Sequence, residues 1–282
     1  MGSSSPTPDL EFPPPEPGFN PPAPPVRRPR SWWAYAPATY VLVGINCLVF
    51  LAMKVRGVSA WSPTPEQLMY FGADHAGAVL QYGQWWRIVT AMFVHVGILH
   101  LATNMWCLWN LGLLAEPLMG SAGVLAVYIL TGAAGNLLST FYNWVWPMRD
   151  AGGIFYPVGA GASGAVFGIA GALIILLKSH LLPVPPLELH KLRRSVIYFA
   201  AINLVLGFTI SLGVVERHTG VRIDNSAHLG GFLCGLLFAA PMVPRIGSTR
   251  KVFVERLRIS AGLVVGLLVL FGFYLAHVPR PG

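Results

Sequence analysis

Residues 161–177 read GASGAVFGIAGALIILL. No charged residue interrupts the run, and it approaches the roughly 20 residues that a helix needs to cross a bilayer core. Backbone polar groups in hydrocarbon must be satisfied within their own segment, so the run is read as a helix. Gly161, Gly164, Gly168 and Gly171 recur three and four residues apart. That spacing puts small residues on one helical face, where a second backbone can come close. One polar side chain, Ser163, stands at the start, and any function of the segment has to be argued from it.

Six further stretches share this character: 34–53, 98–114, 124–141, 195–214, 228–243 and 259–276. With 54% hydrophobic and 11% charged residues over the whole chain, the predicted fold class is all-α, a polytopic membrane helical bundle. Gly132 and Gly135 in the third span, and Gly231 and Gly235 in the sixth, repeat the small-residue pattern. The seventh span carries Ser260 and Tyr274 as its polar side chains, one near each end. It reads as an addition to the bundle rather than part of a site.

The net charge of +8 would suit a nucleic-acid partner only if the basic residues formed one aromatic-studded stripe, and they do not. They sit between spans: Arg27, Arg28 and Arg30 before the first, Lys178, Lys191, Arg193 and Arg194 after the fourth, Arg245, Arg250, Lys251, Arg256 and Arg258 after the sixth. Positive loops stay inside, which puts the N-terminus on the cytoplasmic side. The loop 115–123 on that side has no base, and Lys54, Arg56, Arg87, Arg149, Arg217 and Arg222 lie opposite, so the bias is moderate.

Residues 1–33 form a proline-rich tail without an aliphatic pattern, expected to be disordered and cytoplasmic. The tail lacks an Arg-rich amphipathic pattern and an apolar stretch with a cleavage site. This favours a bacterial cytoplasmic membrane. Residues 34–243 form the core, 244–258 a basic linker, and 259–282 the extra helix with a short outside tail. Residues 54–97, with Trp61, Tyr70, Phe71, Tyr82, Trp85 and Trp86, make a long outside loop. So many aromatics place it in the interface, folded against the membrane. Cys47, Cys107 and Cys234 all fall in apolar helices and read as packing residues.

An ionisable side chain at membrane depth is costly and faces a bundle interior or a water-filled cavity. His228, at the start of the sixth span, is such a residue. It shares a helical face with Gly231 and Gly235, while Ser163 shares one with Phe167 and Ala170. The two helices can therefore present Ser163 to His228. A neutral imidazole accepts the hydroxyl proton during attack, which is the chemistry of acyl transfer. His100 and Asn104, four apart in the second span, are candidate donors to an oxyanion together with the Ser163 backbone N–H. The bland alternatives remain: serine as a helix-packing residue, and His100 and Asn104 bonded to each other or to neighbouring helices. Asp224 precedes His228 by four residues but is read as a loop residue. A dyad, its imidazole oriented by packing on Phe167, is the simpler expectation.

These residues resemble the rhomboid family of intramembrane serine proteases, from about Trp33 to Val243. Gly161-Ala162-Ser163-Gly164 is similar to the family's GxSG, and Ala227-His228-Leu229-Gly230-Gly231 followed by Gly235 to its AHxxGxxxG. His95, His100 and Asn104 resemble HxxxxHxxxN, Trp86-Arg87 the WR pair, and Gly112, Glu116 and Gly120 the GxxxExxxG element. The resemblance implies nucleophile Ser163, base His228, an oxyanion hole of His100, Asn104 and Ser163, and supporting roles for Gly161, Gly164, His95, Trp86, Arg87 and Glu116. Phe167 stands where some members have tyrosine. The resemblance further implies a six-helix core, here with one additional C-terminal transmembrane helix, and a site opening outside.

The expected activity is cleavage of transmembrane-segment substrates near the outer face, with no cofactor and no metal. The lipid bilayer and transmembrane substrates are the partners, and nucleic acid is not. Residues 215–226 and the fifth helix are candidate gates, and Gly/Ala-lined surroundings suit small residues at the cleaved bond. One rival is a non-catalytic protein of the same fold that binds transmembrane clients. Another would use His95, His100 and His228 as ligands to a metal or haem.

Overall fold

The computed structural model describes residues 35–150, 153–211 and 224–279. The proline-rich tail, and the gate segment up to residue 223, lie outside the described residues. Helix α1 spans Pro37–Val55, and short helices α2 (Pro65–Tyr70), α3 (Ala76–Leu80) and α4 (Arg87–Thr90) follow in the long loop. Then come α5 (Ile98–Val145), α6 (Ser163–Leu176), α7 (Pro186–Ser211), α8 (Asn225–Ala239) and α9 (Arg250–Ala276). α1, α5 and α9 are long and apolar enough to cross a membrane, and α6 and α8 are shorter apolar helices. α1 leaves Leu48, Leu51 and Val55 exposed, and α9 leaves Leu267, Val269 and Leu270. Apolar faces of that extent belong against lipid, and the chain is an integral membrane protein.

The second and third predicted spans are continuous in α5, broken at one residue, Gly120, with φ 67° and ψ 169°. The expected loop 115–123 therefore shrinks to a single reversal. Only glycine takes that backbone without strain, and the Arg245 guanidinium packs where a Cβ would lie, 3.2 Å from Nη1. Three expected boundaries are corrected as well. α7 starts nine residues before Ser195, α8 starts three before His228, and α9 starts at Arg250 rather than Ile259. Lys251, Arg256 and Arg258 ride the helix, because long basic side chains carry their charge out of an apolar segment. Much of the supposed linker is thus helical.

The chain is mostly helical, as expected, and four short strands add two ribbons to the helices. β1 (Asp74–His75) pairs antiparallel with β4 (Val158–Gly159), and β2 (Met148–Asp150) with β3 (Gly153–Phe155). Pairs so short carry no alternation that a sequence could reveal. The aromatic loop is folded, as expected. Thr64 and Gln67 make a reciprocal cap on α2, and buried Arg87 donates from Nη1 to the carbonyls of Met69 and Ala73 at 2.8 and 2.9 Å. The same guanidinium lies 4.5 Å over the Trp86 ring. These bonds fasten the loop to itself.

The centre of the bundle is where α6, α8 and the second half of α5 meet. A Cβ on Gly231 would run into the carbonyl of Gly164, and one on Gly235 into the carbonyl of Gly168. On the other side, a Cβ at Gly135 would lie 2.6 Å from the Ala227 oxygen. The backbones touch directly, which small residues alone permit. Because 164 faces 231 and 168 faces 235, the two helices run parallel and in register.

Glu116 fixes α1. Its buried carboxylate accepts from the N–H groups of Ala38 and Thr39 at 2.8 and 2.9 Å, from Thr39 Oγ1 at 2.7 Å and from Ser121 Oγ at 2.6 Å. α1 has no side-chain cap of its own, so Glu116 supplies the missing acceptors at its positive end. Gly112 makes the approach possible, for a Cβ there would lie 2.5 Å from Thr39 Cγ2.

Two substitutions check this packing. Gly231→Ala is expected to lower stability by about 1–3 kcal/mol, since the neighbour it meets is backbone and cannot rotate away. Glu116→Ala should cost about 2–4 kcal/mol by stranding several buried donors. Thermal unfolding in detergent micelles measures both, and a melting temperature equal to wild type would contradict the contact concerned.

Candidate functional site

Ser163 is the first residue of α6, and His228 lies in the first turn of α8. The Gly164–Gly231 contact adjoins both, one residue after the serine and one turn after the histidine. Parallel register therefore brings the two residues to the same end of the helix pair. His228 is buried and Ser163 half-buried. The Phe167 ring stacks on the imidazole, centroid to centroid 4.4 Å with 14° between planes. The contact holds the ring by its face and leaves its edge for polar partners. His228 Nδ1 has no hydrogen-bond partner among the described residues.

The chain leading into Ser163 is pinned on both sides. Gly161 has φ 132° and donates its N–H to the Ala91 carbonyl at 3.0 Å. A Cβ on it would stand 2.5 Å from His100 Cε1 and 3.0 Å from Nε2, so the His100 ring lies against the glycine that precedes the serine turn. Only glycine suits both the backbone and the space. The Ala162 N–H donates to His95 Nε2 at 3.4 Å, while His95 Nδ1 lies 3.3 Å from the Phe93 carbonyl. An accepting Nε2 places the proton on Nδ1, which then donates to Phe93. His95 is fully buried and spent on these two bonds. That is a structural use of the residue.

α6 begins without a side-chain cap, because Ala162 has no acceptor. Among the described residues no side chain caps its first amides, which lie at the positive end of the helix next to Ser163. Asn104 is buried and donates one N–H to the His100 carbonyl at 2.9 Å, a bond within its own helix. His100 Nδ1 is buried without a partner among the described residues. Among those residues no three of His, Cys, Asp and Glu are grouped so as to hold a metal ion. His95, His100 and His228 are thus not assembled as a ligand set.

Asp224 is corrected from a loop residue to the N-cap of α8. Its carboxylate accepts from the Ala227 N–H at 3.1 Å and from the hydroxyls of Ser226 and Ser139. The sequence reading missed the residues that answer it on α5 and in the long loop: Ser139, Asn143, Thr140 and Asp74. Only the ordinary capping spacing, an Asp just before an apolar run, could have pointed to Asp224. No periodicity could have joined it to Asp74.

The Rhomboid domain family model matches residues 82–245, which contain His95, His100, Asn104, Ser163 and His228. Similar chains include rhomboid protease GluP of Bacillus subtilis, 34% identical over 242 residues, covering 86% of this chain and 41% of that protein. Rhomboid protease AarA of Providencia stuartii is 28% identical over 244 residues, with 83% of each chain covered. RHOMBOID-like protein 6, mitochondrial, of Arabidopsis thaliana is 29% identical over 234 residues, 74% of this chain and 68% of its own. The chain thus spans about two fifths of the Bacillus relative's length and most of the Providencia one. With the domain match covering more than half of its length, the chain belongs to the rhomboid family.

Proposed function

We propose that the chain is an intramembrane serine endopeptidase that cleaves transmembrane segments near the outer membrane face with a Ser163/His228 dyad. The observation that carries the reading is the register of α6 against α8, which sets a serine and a face-stacked histidine at one end of the bundle. The names of the Bacillus and Providencia relatives, both rhomboid proteases, support it. They also favour a bacterial cytoplasmic membrane, with the N-terminus inside as the basic loops require.

Ser163 Oγ attacks the scissile carbonyl while His228 takes its proton, and the imidazolium then protonates the leaving amine. The negative oxygen of the tetrahedral intermediate draws on the uncapped first amides of α6, on the free N–H of Asn104 and on His100. A water, activated by the same imidazole, then hydrolyses the acyl-enzyme. Phe167 orients the ring by stacking, so no carboxylate is needed on Nδ1. The substrate helix must open to expose a carbonyl, which favours segments with Gly or Pro near the outer surface. Residues 34–243 form the catalytic core, and α9 is an addition to it.

Cleavage of a single-pass transmembrane substrate by the detergent-solubilised protein tests the reading. Ser163→Ala and His228→Ala should each abolish cleavage while leaving the melting temperature near wild type. Cleavage retained in Ser163→Ala would overturn the assignment. Substrate capture by an inactive wild type would instead favour a client-binding role. In the same assay, Asn104→Ala is expected to lower kcat by about a hundredfold to a thousandfold, the usual effect of losing one oxyanion donor.

A further inference from the structure

Two carboxyl groups that the proposed chemistry does not use are held together behind the dyad. Asp74 is 2% exposed and accepts from Thr140 Oγ1 with both oxygens, at 2.9 and 3.1 Å. Asp224 accepts from Ser139 with one oxygen, and from Ser226 and the Ala227 N–H with the other. Asn143 Nδ2 donates to Ser139 Oγ at 3.2 Å. Ser139 and Thr140 are neighbours on α5, so one turn of that helix grips both acids. A Cβ on Gly159 would lie 3.6 Å from Asp74 Cβ and 3.7 Å from Asp224 Oδ2. Both acids therefore flank β4, where Gly159 pairs with Asp74 itself.

The placement has a consequence for the dyad. Gly159 stands four residues before Ser163, and Asp224 stands four residues before His228. The cluster thus joins the segments leading to the nucleophile and to the base, and α5 is its fixed side. Isolated buried carboxyls are costly, so the fold bears that cost at this place for a return.

We propose that Asp224 is a positioning residue for His228, held in place by a clamp with Asp74 through Ser139 and Thr140. The inference rests on the dyad reading above. Asp224 acts by capping α8 and tying its first turn to α5, so that His228 is held at the same end of the helix pair as Ser163. A misplacement of about 1 Å is enough to slow such a reaction about a hundredfold.

The clamp is also sensitive to pH. Burial, with the charge of Asp224 adding to it and the Thr140 hydrogen bonds and Arg87 opposing, raises the Asp74 carboxyl from its ordinary range to about 7. The charged and titratable groups facing Asp74 among the described residues are Asp224 from α8, Arg87 from α4 and its own neighbour His75. α5 offers Ser139, Thr140 and Asn143, none of which titrates. Asp74 takes up its negative charge as pH rises through about 7. Because the folded state keeps its proton to a higher pH than the unfolded chain, this group's stabilisation is present at acid pH and is lost as pH rises through about 7. The clamp loosens in the same window.

The test is the pH dependence, between 5 and 9, of kcat, KM and melting temperature for wild type, Asp74→Asn, Asp224→Asn and Asp224→Ala in detergent, with fluorophosphonate labelling of Ser163 alongside. Asp224→Ala should lose about tenfold to a hundredfold in kcat with KM little changed, and Asp224→Asn, an equally good cap, should restore most of it. Asp74→Asn should remove the fall in kcat centred near pH 7 and the fall in melting temperature that runs up to about pH 7. Equal kcat in Asp224→Ala and wild type, or a fall up to about pH 7 untouched by Asp74→Asn, would overturn the clamp. If Ser163→Ala still cleaves or wild type takes no label, the dyad reading fails instead. The melting curves then decide the clamp alone, which is overturned if Asp74→Asn leaves their pH dependence as in wild type.

Discussion

Direct contact between the backbones of α6 and α8 is the constraint from which the rest of this structure follows. Where Gly231 meets the Gly164 carbonyl and Gly235 the Gly168 carbonyl, no side chain separates the helices, so neither can slide or rotate without collision. In hydrocarbon the hydrophobic effect gives little attraction between helices, and close packing with weak Cα–H···O contacts takes its place. Such packing acts only when the fit is close, and a close fit fixes axial register. Ser163 and His228 come together because register is fixed a few residues away from both.

The N-terminal ends of these helices are finished in opposite ways. α8 is capped by the Asp224 carboxylate, which covers its first amides. α6 has alanine in the corresponding place, and its amides remain open beside Ser163. A helix start is a concentration of unpaired donors, and leaving one open while closing the other gives an electropositive spot at one point only. The loops enforce this difference. His95 and Ala91 hold the turn before Ser163 through the amides of Ala162 and Gly161, upstream of those left free.

The polar groups that this bundle buries are mostly fasteners. Glu116 binds the start of α1, Arg87 the long loop, and Asn46 donates to the Tyr128 hydroxyl at 2.9 Å. Each would be expensive alone, and each bonds to a group well away from it in sequence. Stability in the membrane region thus comes from glycine contacts and a few polar clips, with the long apolar faces of α1 and α9 turned to lipid.

Apolar runs, their approximate ends and the close approach of the helices that carry Ser163 and His228 were legible in the chain, because hydropathy and helical spacing are local properties. Glycines three and four apart announced close approach, and a histidine in an apolar run announced a partner. The chain by itself determined which faces would meet. Tertiary structure decided what depends on segments far apart in sequence: the reversal at Gly120, the β1–β4 pair, the clasp of Glu116 on α1, and the cluster of Asp74 and Asp224. Two carboxyls separated by most of the chain have no shared periodicity, and only folding places them on the same turn of α5. The cost of burying each without hydrogen bonds makes the Ser139 and Thr140 donors on that turn a condition of the fold.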